Sequence, residues 1–145
     1  MLDVLSACAL IALIMAYAYQ ANEHINTSLK INKVRIAAET FAQDLRKLQR
    51  NTMFQSSGGT LSIKIIKTSE YHIYDGLVIK KTVDFNKTGC EGVFFSKKLN
   101  TGRFMPIGAP VYTGDYELRH KDLPNFSCTL SIQPVTGRIV INEGK

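Results

Sequence analysis

Two different hydrophobic patterns share the first fifty residues of the chain. Residues 4–19 carry no charge, and within them Ala7-Cys-Ala-Leu-Ile-Ala-Leu-Ile-Met-Ala16 is apolar at every position. Further on the pattern becomes one-sided. Ile31, Val34, Ala38, Phe41, Leu45 and Leu48 recur at alternating steps of three and four, which aligns them along one stripe of an α-helix. Lys30, Lys33, Arg35, Glu39, Gln43, Asp44, Arg46, Lys47 and Arg50 are read as lying off that stripe, on the solvent side. The first glycine is Gly58 and the first proline Pro106, so no strong helix breaker separates the two patterns. They predict one helix from Leu2 to about Thr52, roughly 75 Å long at the standard rise.

After Ser56-Ser-Gly-Gly-Thr60 the period changes to two and β-branched residues dominate. Leu61-Ser-Ile-Lys-Ile-Ile-Lys67 alternates. Tyr71-His-Ile-Tyr74 and Leu77-Val-Ile-Lys80 flank Asp75-Gly76, the strongest hairpin signal in the chain. Thr82-Val-Asp-Phe85 extends the second of these strands. Further strands are expected over 92–97, 116–120, 128–133 and 138–142, with a four-residue turn at Pro134-Val-Thr-Gly137. Residues 99–114 hold several glycines and prolines and read as a long loop. A helix followed only by strands argues an α+β fold, with the second half of the helix packed on one antiparallel sheet of six or seven short strands. The expected divisions are an apolar membrane or filament-core half of the helix (1–21), an amphipathic half (22–54) and an antiparallel β domain (60–145).

Three roles compete for the apolar start. A cleaved secretory signal would need a basic segment ahead of the apolar run, and Asp3 has the wrong sign. Leu5-Ser6-Ala7-Cys8 matches a lipobox in letters, but there the apolar run should precede the cysteine, and here it follows it. A retained membrane helix is the third reading. Residues 4–21 would rise about 27 Å against about 30 Å of hydrocarbon, with Tyr17 and Tyr19 at the outer interface.

Composition narrows the chemistry. The 145 residues carry a formal net charge of +6, which favours anionic partners such as lipid headgroups, wall polymers or nucleic acid. Lys80-Lys81, Lys97-Lys98 beside Phe94-Phe95, and Arg103-Phe104 set basic residues next to aromatics, a surface suited to single-stranded DNA. Phe94 and Phe95 point to opposite faces of a strand, so one of them belongs to the core. Of three cysteines, Cys8 lies in the apolar run, which leaves Cys90 and Cys128 either as one disulfide or as two unpaired, half-buried thiols. His24, His72 and His120 are far apart and show no metal-ligand spacing. No nucleophile motif or phosphate loop is present, so neither a cofactor nor enzymatic activity is expected.

Leu2-Asp3-Val4-Leu5, followed by an apolar helix, an amphipathic helix and a small β domain, resembles the type IV filament family. In that family, mature pilins and pseudopilins open on Leu/Ile-Glu-Val-Leu. Val83-Asp-Phe-Asn-Lys-Thr-Gly89 looks like the family's strand ending in Phe-x-x-x-Gly, and Thr129-Leu-Ser-Ile with Val135-Thr-Gly-Arg-Ile-Val-Ile141 looks like its closing hairpin. In this C-terminal part the chain resembles the competence-type minor pseudopilins or the related pseudopilin H and FimT-like group.

The resemblance implies a structural subunit that assembles with other pilin-like subunits and contacts membrane lipid. Its β domain would lie outside the cytoplasm on a single-pass anchor or in a surface or wall filament, serving competence DNA uptake or type II-like secretion. It also implies that Asp3 meets the N-terminal amine of a neighbouring subunit, although the family has a Glu there. With Met1 aligned to the third mature residue, either the start lies further upstream, with a leader that a prepilin peptidase cleaves, or the subunit is not processed by that peptidase. The lack of Lys or Arg ahead of the apolar run favours a missing Lys-rich leader. The competing reading is a monomeric, membrane-anchored binding module with a basic, DNA-contacting face.

Overall fold

The computed structural model describes residues 2–54, 61–99 and 101–144, with side chains from Ser6 onward. Among these residues one helix, α1 (Leu2–Phe54), is followed by eight strands: β1 (Leu61–Lys67), β2 (Glu70–Asp75), β3 (Val78–Asp84), β4 (Val93–Lys97), β5 (Thr101–Arg103), β6 (Gly114–His120), β7 (Leu123–Ile132) and β8 (Ile139–Gly144). The expected break at Ser56-Ser-Gly-Gly-Thr60 lies outside the described residues. The chain forms two compact units, Met1–Lys30 and Ile31–Lys145.

The strands are all antiparallel, as the α+β reading requires, but they divide between two four-stranded sheets, β3-β2-β1-β5 and β4-β6-β7-β8. This corrects the single sheet expected from sequence. Alternation along a strand reports which face is buried, and both sheets bury one face, so the pattern is the same for one sheet or two. The sheets meet where the Phe95 amide donates to the Thr68 carbonyl at 2.7 Å, tying β4 to the turn after β1. The 99–114 segment is less loop than expected. Its Thr101-Gly-Arg103 pairs with β1, and Phe104 bridges Pro110.

In the second unit, Val34, Ala37, Ala38, Phe41, Ala42, Leu45 and Leu48 of α1 are buried, with Ile31 packed against the same core. The ring of Phe41 makes edge contacts with Tyr71 of β2, Phe95 of β4 and Tyr116 of β6 at 4.9, 5.0 and 4.9 Å between centroids. One helix side chain therefore contacts both sheets. β1, β6 and β7 bury alternate residues on this side: Leu61, Ile63 and Ile65 from β1, Tyr116, Leu118 and His120 from β6, and Phe126, Cys128, Leu130 and Ile132 from β7.

The hairpin signal sits one residue off its expected place. Asp75 pairs with Val78, so the two-residue loop is Gly76-Leu77, and only Gly76 has a positive φ, +62°. Glycine at the first central position is the mark of a type II′ turn, whose twist matches that of its flanking strands. In β3 the partner of Ile73 is Lys81 and that of Tyr74 is Ile79, leaving Lys80 as a bulge. At the far hairpin Gly137, at φ +64°, closes the turn between β7 and β8. A Cβ there would lie 2.2 Å from the Gly108 carbonyl oxygen, so only glycine fits.

Candidate functional site

In the first unit α1 is exposed on every side over residues 6–27, including Leu10, Ile11, Leu13, Ile14, Met15, Tyr17 and Tyr19. Isolated helix with this much apolar surface has no core of its own to join and needs another apolar phase or a partner. Among the described residues, no helical stretch is long and apolar enough to cross a membrane. The spanning segment expected over residues 4–21 is therefore not found. The uninterrupted run of ten apolar residues, Ala7 to Ala16, rises only about 15 Å, half a hydrocarbon core. The side chains of Leu2, Asp3, Val4 and Leu5, the residues read as carrying filament assembly, lie outside the described residues.

In the second unit Asp44, Arg35 and Gln49 fasten the helix to strands and loops. Asp44, one helical step from Phe41 and from Leu48, is buried at 3% exposure and not solvated as the sequence suggested. Its carboxylate accepts the Tyr71 hydroxyl at 2.8 Å and both of its oxygens accept the Lys81 ammonium, at 2.7 and 2.9 Å. Burial, aided by the neighbouring carboxylate, pushes the Tyr71 phenol well above its usual range. Arg35 forms a two-pronged pair with Glu143 of β8 at 2.6 and 2.8 Å, with Phe126 beneath its guanidinium at 5.8 Å from the ring centroid. Both partners are about half exposed, so water screens the pair and it adds little to stability. Gln49 donates to the carbonyls of Gly108 and Gly137 at 2.7 and 3.3 Å, pinning two loops to the helix.

These contacts change how the basic residues are read. Lys81 is committed to Asp44. Lys80 lies 3.6 Å from Asp75, and Lys97 lies 3.7 Å from Asp115. Lys98 is exposed just after β4, and Arg103 is exposed on β5. The five are thus spread over β3, the end of β4 and β5, and three of them face a carboxylate. Phe95 is core, while Phe94 is only partly covered.

Cys90 and Cys128 are both buried and both free, so the disulfide alternative is not realised. Register explains it. Phe95 on β4 pairs with Leu118 on β6, which pairs with Cys128 on β7. Cys128 is therefore two strands in from β4, about 10 Å at the usual spacing, and Cys90 precedes β4 altogether. A disulfide needs Cα atoms within about 7 Å. Burial raises the Cys90 thiol, and for Cys128 burial together with Glu143 pushes it up to about 11. Among the described residues, no group of three or more His, Cys, Asp or Glu could hold a metal ion.

No protein-family model matches the chain, and no curated protein matches it. Solved structures do. A crystal structure of the type IV minor pilin FimU from Pseudomonas aeruginosa superposes with a TM-score of 0.61, covering 77% of this chain and 89% of that one at 18% identity. A second crystal form of the same pilin gives 0.57, covering 75% and 92% at 17% identity. At such low identity the likeness is one of architecture. The long N-terminal helix, its second half carrying an antiparallel β domain, is the fold of a type IV minor pilin.

Proposed function

We propose that this protein is a minor pilin-like subunit that assembles head to tail with related subunits into an open helical filament of the cell envelope. The observation that carries the reading is the exposed apolar surface of the first unit, on a chain with a pilin fold. Such a helix exchanges solvent for identical or related helices in a filament core. Ala7, Ala9, Ala12, Ala16 and Ala18 keep one another's backbones accessible, because small side chains allow close helix approach. Repetition of one heterologous contact without closure generates a filament and not a ring.

Asp3 supplies axial direction on this reading. A carboxylate near the start of one helix meets the terminal amine of the next only at a fixed stagger, and a buried carboxylate is costly without such a partner. The β domain lies outside the cytoplasm, and the machine served is a competence or type II-like secretion filament. A prepilin peptidase acts only on a form with a leader ahead of Met1.

Shearing filaments from cells and probing them for the protein tests the reading. Wild type is expected in the sheared fraction and crosslinked to pilin-like partners. Asp3→Ala is expected to leave the β domain folded and to lose recovery in that fraction. Assembly of Asp3→Ala at the wild-type level would refute the role of Asp3. Absence of the wild-type protein from every filament preparation would favour the monomeric binding module instead.

A further inference from the structure

A groove of about 700 Å³ opens on the outer face of the first sheet, lined by Ser62, Lys64, Thr101, Arg103, Leu99 and Tyr112, with the Gly76-Leu77 turn at its rim. Its construction follows from pairing. Leu61, Ile63 and Ile65 of β1 point to the core, which turns Ser62 and Lys64 outward. β5 runs antiparallel beside it, with Arg103 opposite Ser62 and Thr101 opposite Lys64. Lys64 and Arg103 are therefore diagonal neighbours on one face, about 7–8 Å apart at the backbone. Gly102 between them faces inward, where a Cβ would come within 2.7 Å of Ile63 and 2.8 Å of the Tyr116 hydroxyl. That close approach is what brings the β5 cation onto the sheet.

The charges in the groove are uncompensated. No carboxylate is among its described lining residues. Lys64 lies over the Tyr74 ring at 5.0 Å, and among the described residues neither it nor Arg103 is paired with an acid. Lys67, Lys80, Lys81, Lys97, Arg35 and Arg119, by contrast, each have a carboxylate within 4 Å. Two cations on one sheet face attract an anion placed between them more strongly than either does alone. Arginine offers a planar fork to oxyanions, lysine a mobile point charge, and the hydroxyls of Ser62 and Thr101 add donors beside them.

The volume is too large for a bare oxyanion and falls within the range of sites for small organic ligands, roughly 300–1,000 Å³. Leu77, Leu99 and Tyr112 provide an apolar wall for an organic body. Two cations match the charge of a phosphomonoester, close to −2 at neutral pH, whereas a single carboxylate would leave one cation unbalanced. We propose that this groove is a binding site for a small organic phosphate, its phosphate held between Lys64 and Arg103 and its body against Tyr112, Leu77 and Leu99.

Titration of the full chain in nonionic detergent with phenyl phosphate, inorganic phosphate and benzoate tests the assignment, followed calorimetrically and by the amide resonances of residues 62, 64, 101 and 103. Phenyl phosphate is expected to saturate below about 10 mM and to shift those amides. Arg103→Gln and Lys64→Gln should each weaken it at least about tenfold, the loss of one hydrogen bond to a charged group. Tyr112→Ala should weaken phenyl phosphate while leaving inorganic phosphate unchanged, and Arg46→Gln, on the exposed side of α1, should change neither. Both cation variants remove exposed side chains, and unchanged far-ultraviolet circular dichroism verifies their fold. Failure to saturate, or equal affinity in Arg103→Gln, overturns the site. Benzoate binding as tightly as phenyl phosphate overturns the phosphate assignment.

Discussion

Replacing Lys81 by methionine removes the ammonium from a carboxylate that has almost no access to water. Asp44 then keeps one hydrogen bond, from Tyr71, of the three it accepts. Breaking a fully buried ion pair by deleting one partner costs about 3–5 kcal/mol, because the other charge stays behind. The Lys81 side chain is 47% exposed while the Asp44 side chain is buried, so water can replace part of what the ammonium supplied. The expected cost is therefore about 2–3 kcal/mol, below the fully buried range.

Asp44→Asn should be milder, about 1 kcal/mol, since its amide oxygen still accepts from Tyr71 and Lys81 returns to solvent. In the double variant the orphaned charge is gone, so Lys81→Met should add less than about 1 kcal/mol to Asp44→Asn, a coupling of about 1.5–2 kcal/mol. Urea unfolding of the full chain in nonionic detergent measures all three. At about 1.5 kcal/mol per molar urea, Lys81→Met should lower the midpoint by about 1.5–2 M. A shift under about 0.3 M, or a double variant no better than Lys81→Met, would show that this pair does not fasten the helix to the sheet.

Phe41→Ala should cost about 4–5 kcal/mol, the upper end for a buried ring, because the side chain contacts both sheets, and thermal unfolding should fall correspondingly. An unchanged midpoint would remove the helix from the core. Burial raises the phenols of Tyr71 and Tyr116. Their folded-state protons are retained above the unfolded value near 10, so stability present below about pH 10 is lost as pH rises beyond it. Alkaline titration at the phenolate absorbance should show these two ionising only with unfolding, and Tyr116→Phe should flatten the alkaline loss. Cys90 and Cys128 should resist iodoacetamide in the native protein and react after unfolding. A native mass two daltons low, with the two cysteine peptides linked, would contradict the free thiols.

The apolar stripe of α1 was legible because helical spacing needs no tertiary knowledge, and its six residues all meet the core. Asp44 was misread for its polarity. Its spacing, three from Phe41 and four from Leu48, places it on the stripe, and that spacing was the available signal. Its partner Lys81 could not be named from sequence, because the Lys80 bulge in β3 shifts the register on which the pairing depends. β5 escaped notice because three residues centred on a glycine show no alternation, so the Lys64 and Arg103 groove was invisible too. Cross-strand neighbours nearly forty residues apart leave no local pattern. The hairpin at Asp75-Gly76 was placed within one residue, since glycine at positive φ is a local requirement.

β3 is an outer strand of its sheet, and a β domain crowded among copies of itself would carry a hazard there. An outer strand with unpaired amides and carbonyls invites a strand from a neighbour, and Val78 and Ile79 on β3 are both exposed. Two features blunt that invitation. The bulge at Lys80 interrupts the regular ladder an incoming strand would need, and consecutive lysines would have to be stripped of water to admit it. Deleting Lys80, and with it the extra residue of the bulge, would even the pairing and make this β domain prone to join another copy edge to edge.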